Sequence, residues 1–171
     1  MAQGRVAICC MVRDCHPAFE KNLKFIEELR DCFASSKLII VENDSKDGTK
    51  ELAQSLENHD AGVHVDSFDT GTETLLRKMT SGVNPSFSHH RVEKMANYRN
   101  RYLKILEEDI GMVNIDWVIM LDPDVMKFSL EGIKHSFGLS SQWDVVHANG
   151  RSKRGLFREV YYDAYAFAEY G

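Results

Sequence analysis

The sequence lacks an excess of positive charge: 21 of its 171 residues are Lys or Arg against 26 Asp or Glu, a net charge of −5. Proteins that bind nucleic acids usually carry a basic surplus, so DNA and RNA are disfavoured as partners. It also lacks a transmembrane segment. The apolar run near the start, Val6 to Val12, is far shorter than the roughly 20 residues of a spanning helix, and no cleavage-site pattern follows it. Frameworks of disulfides or zinc are missing too. The cysteines Cys9, Cys10, Cys15 and Cys32 fall in the first fifth of the chain without a Cys-x-x-Cys pair, which points to reduced thiols and a cytoplasmic setting. There is no internal repeat and no low-complexity segment. Hydrophobic residues at 43% and charged residues at 27% lie near globular averages, which excludes disordered, collagen-like and coiled-coil chains. A chain of this size buries roughly 70% of its unfolded surface and needs no covalent staples.

What is present is an alternation of strands and helices. Val6 to Val12 is continuously apolar, the pattern of a strand buried on both faces. From Pro17, Phe19, Leu23, Ile26, Leu29 and Phe33 recur at three- and four-residue steps, the mark of an amphipathic helix. Leu38 to Val41 is a second strand, and Thr49 to Glu57 a short helix capped by Ser45 or Asp47. Val63 to Phe68 is a third strand. Asp69 to His90 has no period and reads as a lid or an insertion. A long helix is expected from about Arg91 to Glu108, then a buried strand Trp117 to Leu121 and a short helix Ser129 to Phe137. Trp143 to Ala148 reads as a strand leading into a turn at Asn149-Gly150, with Val160 to Phe167 returning. The fold class is therefore α/β: a mostly parallel, mixed sheet flanked by helices, with ligands bound beyond the carboxyl ends of its strands.

Three constellations carry chemistry. Asp122-Pro123-Asp124 follows an apolar strand directly. Extended residues two apart face one way, and Pro123 fixes its own φ and biases Asp122 away from helix, so two carboxylates are held facing one way at the carboxyl edge of the strand. Like charges that close repel unless a proton or cation lies between them. Mn²⁺ or Mg²⁺, held by one or two carboxylates plus substrate phosphates, suits that arrangement. The second constellation, Glu42-Asn43-Asp44 and the turn through Thr49, stands where a nucleoside lies in a doubly wound fold; the same residue types also build turns and caps. The third is Arg99. At 100° per residue, Val92, Met95, Tyr98, Arg99, Tyr102, Leu103 and Leu106 share one helix face, and a guanidinium there calls for an acidic side chain or an anionic ligand.

These residues resemble a known superfamily. Asp122-Pro123-Asp124 looks like the D-x-D motif of nucleotide-sugar glycosyltransferases with the GT-A fold. Val41-Glu42-Asn43-Asp44-Ser45-Lys46-Asp47-Gly48-Thr49 is similar to the Val-Asp-Asp-Gly-Ser-x-Asp-Gly-Thr turn of their family 2 members. Arg91 to Asn100 and Tyr161 to Phe167 resemble the fungal capsule-associated mannosyltransferase-like proteins. The resemblance implies a donor site of Arg13, Glu42, Asn43, Asp44, Arg99, Asp122 and Asp124, with Asp122 and Asp124 holding the metal on the donor diphosphate. It implies a UDP- or GDP-sugar donor and a glycan or other hydroxyl acceptor. An inverting enzyme needs a general base, for which Asp163 and then His147 are the candidates; a retaining enzyme needs none.

On this reading residues 1–171 form one GT-A-type catalytic domain, with 1–124 binding the donor and 125–171 a partial acceptor side, expected to be either excised from a larger protein or a minimal enzyme whose acceptor is bound by few residues. Two other classes compete. A haloacid-dehalogenase-type phosphatase also ends a strand in Asp-x-Asp, using the first Asp, here Asp122, as nucleophile, but that motif normally opens the domain. A catalytically silent nucleotide-sugar-binding domain needs no acceptor machinery.

Overall fold

A computed structural model describes residues 4–71, 89–125, 128–148, 151–154 and 158–161. Four parallel strands, β1 (Arg5–Val12), β2 (Ser35–Asn43), β3 (Val63–Phe68) and β4 (Trp117–Leu121), form one sheet in the order β3-β2-β1-β4. The continuous apolar run of β1 reflects its place between β2 and β4: Val6, Ala7, Ile8, Cys9 and Cys10 are all buried. Helices α1 (Ala18–Arg30) and α2 (Thr49–His59) connect β1 to β2 and β2 to β3. Right-handed crossovers in one direction put both helices on one face. Their ends are joined there, because Arg30 donates from Nη1 to Asp60 Oδ2 at 2.7 Å and from Nε to Ser36 Oγ at 3.1 Å. The Arg30 guanidinium holds the Asp60 carboxyl below its ordinary range. Phe19, Ile26 and Leu29 are the buried stripe of α1, each contributing about 1.5–3 kcal/mol by leaving water.

The opposite face is covered by α3 (His89–Lys104), which continues into a π-helical turn, Ile105–Ile110. Tyr102 and Leu106 pack there on Ala7, Cys9, Ile39 and Val41. The helix is rotated relative to the expected face. Tyr98, Tyr102 and Leu106 are buried, but Val92 and Leu103 are 60% and 49% exposed and Arg99 is exposed as well. The cause lies on β3: Tyr98 meets Phe68 edge-on at 5.2 Å, and Arg101, outside the expected apolar face, pairs with Asp66 and lies 3.7 Å above the Phe68 ring. These contacts draw α3 towards β3 and leave its other flank open. Strand β4 departs from expectation in the same way. Val118 and Met120, on the face of Ala7 and Cys9, are 42% and 54% exposed, whereas Leu121 is buried.

The chain divides into two compact units, Met1–Leu130 and Glu131–Gly171. Helix α4 (Leu130–Gly138) begins at the division. In the second unit Trp143 packs edge-on against Phe137 at 5.9 Å and donates from Nε1 to the Ser136 carbonyl at 2.9 Å. Residues 143–148 are not a strand. The antiparallel pair is β5 (Arg151–Arg154) with β6 (Arg158–Tyr161), so the basic Arg151-Ser152-Lys153-Arg154 forms a strand. No helix among the described residues is long and apolar enough to cross a membrane.

Candidate functional site

The carboxyl ends of β1, β2 and β4 deliver Arg13-Asp14, Asn43-Asp44 and Asp122 to one edge of the sheet. The first two loops are bound to each other. Asp14, with φ +46°, accepts from the Lys46 amide at 2.8 Å and donates its own amide to Ser45 Oγ at 3.2 Å. Buried Thr49 accepts from the amides of Cys15 and His16 at 3.0 Å, and Asp47 accepts a third bond from the His16 amide at 2.9 Å. The residue capping α2 by position is Gly48, in the left-handed region at φ +95°, rather than Ser45 or Asp47. Asp47 still serves the helix by accepting from the Thr49 amide at 3.1 Å and hydroxyl at 2.6 Å. Burial pushes the Asp47 carboxyl up, and these hydrogen bonds outweigh it and hold it below its ordinary value.

Glu42, Asn43 and Asp44 stand at this edge, but their side chains turn into the protein. Glu42 is fully buried; it accepts from the Ser45 amide at 2.9 Å and from Ser67 Oγ at 2.5 Å. Asn43 donates from Nδ2 to Tyr98 Oη at 3.1 Å and to Asp44 Oδ2 at 2.8 Å. Asp44 is 7% exposed and accepts from the Thr70 amide and hydroxyl and from the Gly71 amide, at 2.8, 2.6 and 2.8 Å. Its φ is +51°, at the position where the family 2 turn has glycine. An aspartate tolerates that conformation better than most residues, and the side chain that glycine lacks tethers the chain after β3. Arg13 lies over this group with Nη1 3.9 Å from Asp44 Oδ2 and Nε 3.9 Å from Asp14 Oδ2.

Across β1, Asp122 to Val125 is a turn and not a continued strand: the Val125 amide points at the Asp122 carbonyl, 3.5 Å away. Pro123 is the reason, since its fixed φ suits the second position of a turn. Asp122 and Asp124 therefore occupy the first and third positions of that turn, both exposed, with Pro123 buried between them. The turn is held from α1. Asn22 donates from Nδ2 to the carbonyls of Pro123 and Val125 at 2.6 and 2.8 Å. Sequence reasoning missed this residue. The available signal was a residue of low helix propensity inside the α1 pattern, beside Glu20, Lys21 and Lys24.

Arg99 belongs to the same neighbourhood. Burial pushes the Tyr102 hydroxyl up to about 12, while the charge of Arg99 and its hydrogen bond pull it down and Asp122 adds to the rise. Both charges thus act at one phenol. Burial also raises the Cys15 thiol to about 11, against a hydrogen bond from Thr49 and with a contribution from Asp124. Cys9, Cys10, Cys15 and Cys32 are free thiols, the first three buried. His147 is exposed in the second unit. Asp163 and most of the segment from Asp69 to His90 lie outside the described residues. No group of three or more His, Cys, Asp or Glu side chains among the described residues forms a self-contained metal site. Surface depressions of about 510 and 400 Å³ lie away from this edge; both are lined by His64 and Asp109 and neither by Asp122 or Asp124.

Residues 5–133 match the family model described as cryptococcal mannosyltransferase 1. No curated protein matches the chain. The match extends from the first residue of β1 through the Asp122–Val125 turn into α4, and the chain belongs to this family.

Proposed function

We propose that this member of the cryptococcal mannosyltransferase 1 family is a metal-dependent glycosyltransferase of GT-A type, moving a hexose from a UDP- or GDP-sugar to a glycan or other hydroxyl acceptor. Family membership supports glycosyl transfer and makes mannose the first donor sugar to test. The observation that carries the metal and the donor diphosphate is the clamped turn at the carboxyl edge, with Asp122 and Asp124 both exposed. A donor set of two carboxylates fits Mn²⁺ or Mg²⁺, whose remaining positions are taken by water and substrate phosphates. Without a third protein ligand among the described residues, the set suits an ion shared with the donor better than an all-protein cage.

Such an ion supplies neutralisation of the charge that builds on the leaving diphosphate. The residues of the chain do the rest. Asp122 and Asp124 fix where the diphosphate lies, and Arg13 and Arg99 draw it to the edge from either side. Glu42, Asn43 and Asp44 form the wall beside the nucleoside, their internal bonds holding the 42–45 turn and the start of the chain after β3. Asp163 or His147 takes the acceptor proton if the sugar is inverted. A phosphatase using Asp122 as nucleophile is disfavoured by the family match.

Thermal unfolding tests the reading. UDP or GDP is expected to raise Tm only when Mn²⁺ or Mg²⁺ is present, and Asp124→Ala is expected to abolish the rise. Stabilisation that is the same without metal refutes the proposal.

A further inference from the structure

Asn22 does more than join a helix to a loop. An amide nitrogen carries two hydrogens, and Asn22 directs them at two carbonyls, those of Pro123 and Val125. These carbonyls stand on either side of Asp124 in the chain. Asp124 is thereby held between two anchored residues while its own side chain stays exposed. One helical step along α1, Phe25 stacks on Phe128 with ring centroids 4.6 Å apart, so the same stripe of the helix grips the chain beyond the turn. On the other side, Leu121 is paired with Cys10 in the sheet. The carboxylates thus extend from a segment fixed at its beginning, middle and end, and Asn22 supplies the middle.

We infer that Asn22 is a positioning residue for the carboxylates of Asp122 and Asp124: it sets the metal affinity of the site without touching the ion, by holding the turn that carries them. The inference rests on the metal-dependent reading above. Partners that orient metal ligands typically govern affinity by about 10–100-fold, and here the partner acts through the backbone.

The test compares the unmodified protein with Asn22→Ala, Asn22→Gln, Asp124→Ala and Ile26→Val, the last a destabilised control on the same helix. Two quantities are read: amide hydrogen exchange at Asp124 and Val125 in metal-free protein, and the Mn²⁺ concentration giving half of the GDP- or UDP-induced rise in Tm. Asn22→Ala is expected to speed exchange at both amides and to raise the half-saturating Mn²⁺ concentration about tenfold or more. Asn22→Gln keeps both hydrogens on a longer arm and is expected to fall between, and it serves as the readout if Asn22→Ala folds poorly. Ile26→Val is expected to lower Tm with no change in the Mn²⁺ requirement. A half-saturating concentration for Asn22→Ala within about twofold of the unmodified protein, with Asp124→Ala still inactive in the assay, overturns the role of Asn22 and leaves the metal reading standing. An unaltered response in Asp124→Ala overturns the metal reading, and the inference falls with it.

Discussion

A carboxyl group with no exposed surface is tolerated only when its oxygens are satisfied, and Glu42 meets that condition with the Ser45 amide and Ser67 hydroxyl. Truncating it leaves both donors without their acceptor and opens a cavity beneath the turn. Glu42→Ala is therefore expected to lower unfolding free energy by about 2–4 kcal/mol in urea titrations. Glu42→Gln keeps an acceptor for the Ser45 amide, and the Ser67 hydroxyl is able to rotate to accept, so its loss should be under about 1.5 kcal/mol. Equal losses in the two variants contradict this role. The sequence showed where Glu42, Asn43 and Asp44 fall, because an apolar run ending in polar residues marks the carboxyl end of a strand. It did not show which way they turn. That is decided by Ser67, Thr70 and Tyr98, more than 20 residues away in sequence. Asp122 and Asp124 were legible as a pair for a simpler reason, since they are two apart in sequence; Pro123 made a turn where an extended chain was expected, and the Asn22 clamp on that turn comes from a residue about 100 positions away.

At the level of elements, the sheet, α1 and α2 were readable, and the docking of α3 and the exposure of β4 were not. Uninterrupted apolar runs identify β1 and β2, and the strand–helix alternation requires a parallel sheet. The face of α3 was misjudged because hydrophobic periodicity treats Val92 and Leu103 as equivalent to Tyr102 and Leu106. The difference comes from Arg101 and Tyr98 docking on β3. Strand β4 is a second case: it joins the sheet beside β1, and its start is fixed by charge. Asp116 accepts from the Arg5 amide at 2.8 Å, from Nε at 3.0 Å and from Nη2 at 2.7 Å, while its own amide donates to the Arg5 carbonyl at 2.9 Å. Hydrogen bonds from the Arg5 side chain and then its backbone hold the Asp116 carboxyl at about 2, below its ordinary value of 3.8. A carboxylate depressed in the folded state adds stability above its unfolded value and loses it as pH falls through the folded one. Asp116→Asn should thus be less stable than the parent near neutral pH. The gap should close as pH falls from about 4 to about 2, as followed by urea unfolding across that range. A gap independent of pH shows that the pair does not act through its charge.

For the whole molecule, the division at Leu130 places every described donor-side candidate in one unit: Arg13, Glu42, Asn43, Asp44, Arg99, Asp122 and Asp124, together with Asn22. The candidate base His147 is in the other. This partition was partly legible, because the motifs occur in order along the first three-quarters of the chain, but the second unit was poorly read. Its strands carry Arg, Lys, Ser and Glu rather than an apolar pattern, so periodicity pointed to Trp143–Ala148 while pairing occurs at Arg151–Arg154 with Arg158–Tyr161. The sheet packs α1 and α2 on one face and α3 on the other within Met1–Leu130, and the partners of the Asn22 clamp and the Glu42 network named above all lie inside that limit. A chain ending at Leu130 is expected to unfold cooperatively and to keep the metal-dependent rise in Tm with UDP or GDP, while losing transfer to an acceptor. Circular dichroism melts with and without nucleotide and Mn²⁺, alongside a transfer assay, check all three expectations. If the shortened chain folds but no longer responds to nucleotide, donor binding depends on the second unit and the division of roles proposed here is wrong.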